Sequence, residues 1–267
     1  MEIDNRLVII SSESKKYLSV ITKGKEFITN DGKIEFDKIK SLPTQIESST
    51  GKIFTIYVPS YKEFILLMKR GPQIIYPKDV GSILISGNIN SNSKVLEIGT
   101  GSGALTLFLA SILGTNSKFY SLDISKKNQY RAKKTISRYL SNYSSDFIND
   151  IQFINTDLSD FKIDTVPFKF DTVITDVPEP WIFFENNHIN SNLYWVSYLP
   201  SISQVSKLAD ALQDNSFKDI EILNDKNGAP YFNKHPLQNK NIKDKEKELT
   251  AFLRDKVVYG YIIEQKN

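Results

Sequence analysis

Short apolar runs alternate with helix-forming stretches from about residue 61 onwards, and this alternation constrains the fold more than any other feature of the chain. The apolar runs have the length and the β-branched or aromatic content of buried strands. They are KVLEIG at 94–99, KFYSLDI at 118–124, IQFINTD at 151–157, FDTVITD at 170–176 and LYWVSYL at 193–199. Strands separated by helices pair in parallel and are covered by helices on both faces. The sequence therefore predicts an α/β fold with a mostly parallel sheet.

The segments between and after these runs complete the predicted sheet. Helices are predicted at 104–113, 125–142 and 201–212. Two further strands, FKDIEIL at 217–223 and KVVYGYIIEQ at 256–265, have no helical pattern between them, so they are predicted to pair antiparallel at an edge of the sheet. The residues at 224–248 are polar and are predicted to form a surface insertion.

The first 60 residues have a different pattern, with short β segments joined by turns. Asn30, Asp31 and Gly32 form a strong hairpin signal, because these residue types tolerate positive φ angles. A helical pattern first appears in SYKEFILLMKR. The chain is therefore predicted to consist of a small all-β domain at 1–60 and a larger domain at 61–267.

Composition limits the chemistry that the chain can perform. The 267 residues include no cysteine, which excludes disulfides, thiol catalysis and cysteine-bound zinc. With His188 and His235 as the two histidines of the sequence, neither a histidine-based metal site nor a histidine catalytic triad is expected, and no metal is expected. No apolar run approaches the roughly 18 residues of a spanning helix, and the N-terminus lacks a signal-peptide pattern, so a cytoplasmic protein without membrane contact is expected. Carboxylates, tyrosines and a bound cofactor remain to carry the chemistry.

The positive charges are clustered, although the net charge is only +3. The segment SKKNQYRAKKTISR places six cations on one predicted helix, namely Lys126, Lys127, Arg131, Lys133, Lys134 and Arg138. Such a helix has two interpretations: a solvated face without a partner, or a surface for a nucleic acid. Composition alone permits both.

Three glycines follow the first predicted strand of the α/β region. In LEIGTGSGALT, Gly99, Gly101 and Gly103 lie between a strand and a helix, where glycine lets the backbone turn tightly and approach a ligand. A purely structural glycine turn would give the same pattern. Asp123 favours a ligand, because an acid at the end of the next strand can accept hydrogen bonds from the ribose hydroxyls of a nucleoside cofactor.

The spacing of the glycines distinguishes two classes of cofactor. A dinucleotide fingerprint, G-x-G-x-x-G, would require glycine at position 104, where this chain has Ala104. From Glu97 the chain instead reads E-x-G-x-G-x-G, which resembles motif I of class I S-adenosylmethionine-dependent methyltransferases. The spacing therefore favours S-adenosyl-L-methionine over NAD.

A proline-rich turn follows the fourth predicted strand. In DVPEPW, Asp176 comes directly after FDTVIT, and each proline fixes its own φ and restricts the residue before it. One interpretation is a turn that needs Asp and Pro for its geometry alone. The other is a carboxylate aimed at a ligand, because ligands of open α/β folds bind outside the carboxyl ends of the strands.

Four segments together resemble one family, the tRNA (adenine-N1)-methyltransferases that modify T-loop adenines 57 or 58. They are RGPQIIYPKD at 70–79, LEIGTGSGALT at 96–106, DVPEPW at 176–181 and YLPSISQV at 198–205. The first of them is long and idiosyncratic, and the likeness extends over nearly the whole chain. The resemblance implies a Rossmann-like class I methyltransferase sheet, mostly parallel with an antiparallel edge strand, and a small N-terminal all-β domain.

The resemblance also implies partners and site residues. S-adenosyl-L-methionine would be the cofactor, tRNA the substrate, and a homotetramer the assembly. Asp176 would be the catalytic residue, by accepting a hydrogen bond from the adenine amine, and Tyr76 would contact the target base. The cofactor contacts would be Gln73, Glu97, Gly99, Gly101, Ser102, Gly103, Ala104, Leu105, Asp123, Asn128, Asp157 and Asp176.

Several alternatives stay open at the level of sequence. Tyr76 could be a buried core residue, and Trp181 could pack the proline turn or touch RNA. The chain departs from the family pattern at NNHINSN, 186–192, and at Val258–Gly260, where the family has Pro-Gly-Gly and His-Thr-Gly. A catalytically silent tRNA-binding subunit is therefore the rival to an active enzyme. Against it, such subunits tend to lose the glycines and the aspartate that this chain keeps.

Overall fold

The computed structural model describes residues 3–68, 74–142, 151–189, 192–224 and 256–262. The chain forms two compact units, one of residues 1–70 with 133–148 and the other of residues 71–132 with 149–267. A division between domains after residue 60 stays a prediction.

The smaller unit is built on an antiparallel sheet, as the sequence predicts. Its strands are β1 (Leu7–Ser11), β2 (Lys16–Val20), β3 (Glu26–Thr29), β4 (Gly32–Glu35), β5 (Thr44–Glu47) and β6 (Ile53–Tyr57). Four of them pair in the order β2-β1-β6-β5, and β3 and β4 form the predicted hairpin, in which Gly32 has a φ of +103°. Strand β1 is fully buried from Leu7 to Ile10, and Ile56 of the neighbouring strand β6 is fully buried as well. Helix α1 (Tyr61–Leu67) begins with a capping box formed by Ser60 and Glu63.

The larger unit contains a seven-stranded sheet. Its strands are β7 (Lys94–Ile98), β8 (Lys118–Leu122), β9 (Ile151–Ile154), β10 (Thr172–Thr175), β11 (Leu193–Leu199), β12 (Lys218–Asn224) and β13 (Lys256–Ile262). They pair in the order β12-β13-β11-β10-β7-β8-β9. The pairs within β11-β10-β7-β8-β9 are parallel, whereas β13 is antiparallel to both of its neighbours. The predicted mostly parallel sheet with an antiparallel pair at one edge is confirmed.

Helices accompany this sheet. They are α2 (Pro77–Ser86), α3 (Ala104–Ile112), the first half of α4 (Lys126–Leu140), α5 (Phe183–Asn186) and α6 (Ile202–Asp214). Helix α2 was not predicted as a helix, although Pro77 at its first position is a common start signal. Strand β10 is buried at all four positions, and Trp195, which is fully buried, packs against Phe183 and Phe184. This core fixes the sheet from which the loops of the site emerge.

The order of the strands decides where a ligand can bind. After β7 the chain adds β8 and β9 on one side and later adds β10 and β11 on the other side. The connections leave β7 and β10 in opposite directions, so a crevice opens between the carboxyl ends of these two strands. Within the described residues, none of the helices is long and apolar enough to cross a membrane.

Candidate active site

A cavity of about 510 Å³ lies at the carboxyl edge of the parallel strands. Ligand sites in proteins commonly have a few hundred to about 1,000 Å³ of space. The residues that line it follow five strands: Ile98, Gly99, Gly101, Leu122, Asp123, Ile124, Asn128, Thr156, Asp157, Leu158, Asp176, Val177, Pro178, Glu179, Ile182, Tyr198, Pro200 and Gln204. The predicted site residues Gly99, Gly101, Asp123, Asn128, Asp157 and Asp176 are thus brought together.

The glycine loop is shaped by two positions that no other residue fits. Gly99 has a φ of +102°, and a Cβ atom there would stand 2.5 Å from the carbonyl oxygen of Asp176. Gly103 has a φ of +79°, and its Cβ would stand 2.8 Å from the Cβ of Ala132 on α4. L-residues rarely adopt such φ values, and each Cβ would also collide with a neighbour. The loop therefore needs glycine to pass between β7, the Asp176 turn and α4.

Asp123 connects the glycine loop to the start of α4. Its Oδ2 accepts a hydrogen bond from the Gly101 amide at 2.9 Å, and its Oδ1 accepts one from the Ser125 amide at 2.7 Å. The side chain is buried at the wall of the cavity. An ionised carboxylate has about four acceptor positions, so two remain after these bonds. Asp123 can therefore hold the loop and accept ligand hydroxyls at the same time.

Glu97 lies in the core behind the glycine loop. Its Oε2 accepts hydrogen bonds from the hydroxyls of Thr106 at 2.7 Å and Ser121 at 2.5 Å. Its Oε1 is buried and has no hydrogen-bond partner within the described part of the chain. The pKa of the Glu97 carboxyl is raised to about 8, chiefly by burial and to a smaller extent by the nearby carboxylates of Asp176 and Asp123, while the two hydroxyls act in the opposite direction. Glu97 is therefore largely protonated at neutral pH, and its role as a cofactor contact stays a prediction.

Asp157 follows β9 and contributes a charged group to the far side of the cavity. Its Oδ1 accepts hydrogen bonds from the amide and the hydroxyl of Ser159, at 2.9 and 2.8 Å. These bonds hold the pKa of Asp157 below its usual value, the amide bond having the larger effect. Asn128, on the first turn of α4, lines the same cavity. The cavity thus has an ionised acceptor at Asp157.

Asp176 is the first residue after β10, and its side chain is exposed. Its amide donates to the carbonyl oxygen of Ile98 at 2.9 Å, so the backbone of the turn stays paired with the end of β7. Helix α6 holds the following residues, because Gln204 Nε2 donates to the carbonyl oxygen of Pro178 at 2.8 Å. The carboxylate is therefore presented to the cavity from a turn that is fixed on two sides.

Trp181 packs at the end of this turn. The ammonium group of Lys207 lies 4.2 Å from the centroid of the Trp181 ring, and the ring also packs against the hydrophobic core. Of the two interpretations of Trp181, the structure favours packing, because the ring is engaged by α6 and the core. The proline turn is thus anchored at both of its ends.

Other predicted site residues lie outside the cavity wall. Tyr76 is 36% exposed, so the interpretation of Tyr76 as a buried core residue is wrong. Gln73 lies outside the described residues. The segment Ser102–Leu105 forms the rest of the glycine loop and the first turn of α3, beside the cavity rather than in its wall.

The wall also contains residues that were not predicted as site residues, among them two polar residues of one segment. Tyr198 and Gln204 line the cavity from the end of β11 and from α6. The hydroxyl of Tyr198 lies 3.5 Å from Oδ2 of Asp79, which is buried. Both residues belong to YLPSISQV, a segment that contributed to the family resemblance, so the signal was present in the sequence. The sequence did not show that β11 lies next to β10 in the sheet, and this position brings the two residues to the cavity.

The combination of this sheet order with a three-glycine loop at the switch point is that of a class I S-adenosylmethionine-dependent methyltransferase. Solved structures agree with this class. A SAM-dependent O-methyltransferase from Thermotoga maritima matches with a TM-score of 0.78 over 100% of this chain and 96% of that chain, at 20% identity, which supports the fold alone. The tRNA (m1A58) methyltransferase TrmI from Aquifex aeolicus matches with a TM-score of 0.71 over 100% and 99%, at 25% identity.

Sequence comparison gives the particular family. The family model described as tRNA methyltransferase complex GCD14 subunit matches residues 57–255, and the chain belongs to this family. It is 27% identical to the tRNA (adenine(57)-N(1)/adenine(58)-N(1))-methyltransferase TrmI of Methanocaldococcus jannaschii over 235 residues, 80% of this chain and 82% of that protein. It is also 27% identical to the tRNA (adenine(58)-N(1))-methyltransferase catalytic subunit TRM61 of Candida albicans over 81% of this chain and 65% of that protein. The resemblance stated from the sequence motifs is confirmed.

Proposed function

We propose that this protein transfers a methyl group from S-adenosyl-L-methionine to N1 of an adenine in the T-loop of tRNA, at position 58, position 57 or both. One observation carries the proposal: the backbone of Asp176 lies against Gly99, so the carboxylate stands at the end of the glycine loop that would hold the cofactor. Membership of the GCD14 family and the similarity to TrmI proteins support the choice of tRNA as substrate.

The residues of the cavity fit S-adenosyl-L-methionine. The two acceptor positions left on Asp123 suit the two ribose hydroxyls, and Asp157 suits the adenine amine. Apolar side chains of Leu122, Ile124 and Leu158 line the wall between these two acids, where a flat base would lie. At Gly99 and Gly101, which line the cavity, no Cβ stands between the backbone and a ligand. When bound, the cofactor would supply a methyl group on a sulfonium for in-line displacement, in which the acceptor nitrogen gains the methyl group and the neutral thioether is the leaving group.

Asp176 would orient the methyl acceptor. Adenine N1 already carries a lone pair, so no strong base is needed to expose it. Methylation makes the adenine cationic, and a carboxylate held in place stabilises that developing charge. Asp176 would accept a hydrogen bond from the exocyclic amine and so direct N1 toward the cofactor. The fixed turn matters because positioning of the two reactants is the main task in such a transfer.

Tyr76 is available to the target base. The T-loop adenine has to be turned out of folded tRNA, at a cost of a few kcal/mol. An exposed aromatic ring can offset part of this cost by stacking. Tyr76 directly precedes α2 and is 36% exposed, which leaves its ring free to meet a base.

The departures from the family pattern leave the described framework intact. Asn187, within 186–192, is buried and forms three hydrogen bonds, to Ile163, Phe161 and Phe183. The Val258–Gly260 segment pairs in register with Ser197, Val196 and Trp195 of β11. An active enzyme is therefore favoured over a silent subunit, since the glycine loop and Asp176 are also present. A homotetramer is part of this proposal by family resemblance alone.

Nucleoside mass spectrometry of unmodified tRNA tests the proposal. The purified protein with S-adenosyl-L-methionine should produce 1-methyladenosine, and mapping of the product should place it in the T-loop. Calorimetry should show micromolar binding of S-adenosyl-L-methionine and none of NAD. Binding of cofactor and tRNA without transfer, until a second protein is added, would instead identify a silent or dependent subunit. A preference for NAD would overturn the methyltransferase assignment for this chain.

A further inference from the structure

Helix α4 carries a continuous basic face. We define the basic face by the exposed residues Lys126, Lys127, Tyr130, Arg131, Lys134 and Arg138. The opposite side of the helix is buried through Gln129, Ala132 and Ile136. The cations of the basic face therefore all lie on the side of the helix away from these buried residues.

The spacing of these residues arranges them in rows. Lys126, Tyr130, Lys134 and Arg138 follow one another at intervals of four residues, and such residues lie one above the other on a helix. Lys127 and Arg131 form the adjacent row at the same interval. The 15 residues of α4 extend over about 22 Å at 1.5 Å per residue. The positive charge of the basic face therefore extends along the length of the helix and is not confined to one end of it.

This arrangement opposes helix stability. Lys126 and Lys127 lie at the N-terminus, where the helix dipole favours negative charge. Like charges three or four residues apart, as in Lys127 with Arg131, each cost a few tenths of a kcal/mol. The helix contains no acidic residue. A face that only meets solvent usually mixes the two signs of charge, so an external anion explains the pattern better.

Ion pairs elsewhere in the structure do not neutralise these cations. The salt bridges among the described residues join Lys16, Lys33, Lys38, Lys52 and Lys78 to acids, and none of them involves Lys126, Lys127 or Arg131. Within the described part of the chain, no salt bridge engages these three cations, which leaves them available to an external anion.

The basic face begins at the rim of the candidate active site. Ile124 and Asn128 line the cavity, and the two lysines of the first turn lie between them in the sequence. Tyr130, one turn further along, is 69% exposed and stands between Lys126 and Lys134 in its row. Cations with an aromatic ring among them suit a strand of RNA, because cations neutralise phosphates and a ring stacks on a base or a ribose.

We infer that the basic face of α4 binds the phosphate backbone of the RNA whose adenine enters the cavity. This inference rests on the proposed function and assigns a surface to its substrate. Lys126, Lys127 and Arg131 contact phosphates next to the cavity, and Lys134 and Arg138 extend the contact along the helix. The contact is independent of sequence, since phosphates are the same at every nucleotide.

A charge-removal variant tests the inference against a matched control. The variant combines Lys126→Gln, Lys127→Gln and Arg131→Gln. The control combines Lys94→Gln, Lys118→Gln and Lys218→Gln, which removes the same charge from the first residues of β7, β8 and β12, at the opposite edge of the sheet. The affinity for tRNA is measured at several salt concentrations, and the affinity for S-adenosyl-L-methionine is measured in parallel.

The expected result is a change in salt dependence. Each lost phosphate contact lowers the slope of log affinity against log salt by about 0.7 to 0.9, so the triple variant should lose about 2 to 3 from the slope. The single change Arg131→Gln should lower this slope by about 1. The control should keep the wild-type slope, and cofactor affinity should stay unchanged in both variants.

The outcomes separate this inference from the proposed function. A triple variant with the wild-type slope would show that the basic face is only solvated and would overturn the inference, while methylation of tRNA by the wild-type protein would still support the proposed function. A control whose slope of log affinity against log salt falls as much as that of the triple variant would also overturn the inference. A wild-type protein that methylates no tRNA would refute the proposed function itself. Thermal melting of both variants checks folding, and replacing lysine near the helix N-terminus should not lower the melting temperature.

Discussion

Gly99 lies against the backbone of Asp176, so close that a Cβ atom on Gly99 would stand 2.5 Å from the Asp176 carbonyl oxygen. The Asp176 amide also donates to the carbonyl oxygen of the preceding residue, Ile98, at 2.9 Å. The glycine loop and the carboxylate turn are therefore packed together as one unit. A change in one of them is expected to disturb the other, although they are far apart in the chain.

The Gly99→Ala change should damage both the fold and the proposed cofactor site. The added Cβ meets the Asp176 backbone, which cannot move as a side chain can, and the φ of +102° is strained for alanine. We expect a loss of about 1–3 kcal/mol of unfolding free energy, of the size associated with strained backbone positions, and binding of S-adenosyl-L-methionine at least tenfold weaker. Urea unfolding and calorimetry measure the two effects.

Gly81→Ala is the matched control for this prediction. Gly81 lies within α2, and a Cβ atom there would have no neighbour within 4 Å. Alanine in a helix is more stable than glycine by roughly 0.5–1 kcal/mol, so Gly81→Ala should stabilise the protein and leave cofactor binding unchanged. Equal effects of the two substitutions would contradict the importance of the Gly99 contact.

The Asp176→Ala change should lower the rate of methyl transfer by roughly a hundredfold or more, the scale of losing one electrostatic stabiliser of a transition state. The fold should persist, because the side chain is exposed while the backbone amide of the turn keeps its bond to Ile98. Asp176→Asn should recover part of the activity, since its amide oxygen can still accept the adenine amine. Single-turnover rates and thermal melting on the same samples measure both quantities.

Asp210→Ala, an exposed aspartate on α6, serves as the control for Asp176. It should leave the transfer rate at the wild-type value. If Asp176→Ala were well folded and turned over like the wild type, the carboxylate would only shape the turn. If its melting temperature fell in step with its rate, the role would be structural.

Glu97 should make stability depend on pH. Its pKa is raised from 4.5 to about 8 in the folded protein, chiefly by burial. Between these values the folded state keeps a proton that the unfolded state has released. The contribution of Glu97 to stability is therefore full below about pH 4.5 and is lost as the pH rises to about 8, at up to ~1.4 kcal/mol per pH unit.

The Glu97→Gln change should remove this pH dependence. Glutamine has nearly the shape of the protonated acid and does not titrate, so its unfolding free energy should stay flatter than that of the wild type between pH 6 and 8. Glu185→Gln, at an exposed position on α5, should keep the wild-type slope. Denaturant unfolding at a series of pH values measures the slopes, and identical slopes for Glu97→Gln and wild type would refute a protonated Glu97.

Gln204 should act as a positioning residue for the Asp176 turn. Gln204→Leu removes the bond from Nε2 to the Pro178 carbonyl oxygen and the bond that Oε1 accepts from the Ser201 hydroxyl, but it keeps the Ser201 cap on the backbone amide and a helix-forming residue in α6. We expect kcat to fall by about tenfold, with the affinity for S-adenosyl-L-methionine and the melting temperature nearly unchanged, because a small misplacement of a catalytic group affects the transition state most. Steady-state kinetics with calorimetry separates these quantities.

Gln213→Leu provides the comparison for Gln204, since Gln213 is exposed on the same helix. It should leave kcat at the wild-type value. A loss of melting temperature in Gln204→Leu that accounts for its loss of rate would assign Gln204 to the stability of the fold instead.

The sequence alone determined the architecture of the larger unit and the class of its cofactor loop. Strands such as 193–199 were predicted at their observed bounds, because a run of apolar and aromatic residues reports burial through its own composition. Gly99 and Gly103 were recognisable because glycine is required where φ is positive, which is a property of the local backbone. Helix α2 was not predicted, because the start of its segment was assigned from a family motif and its apolar periodicity was not considered.

The contacts between those elements became known from the folded structure and not from the sequence. The sequence placed Glu97 before the glycine loop, but its raised pKa follows chiefly from burial, which outweighs the lowering effect of the hydroxyls of Thr106 on α3 and Ser121 on β8. The contact of Gly99 with Asp176 and the support of Pro178 by Gln204 depend on the order of strands in the sheet. Periodicity and turn preferences act between neighbours in the chain, whereas these contacts join residues that come together only when the sheet is formed.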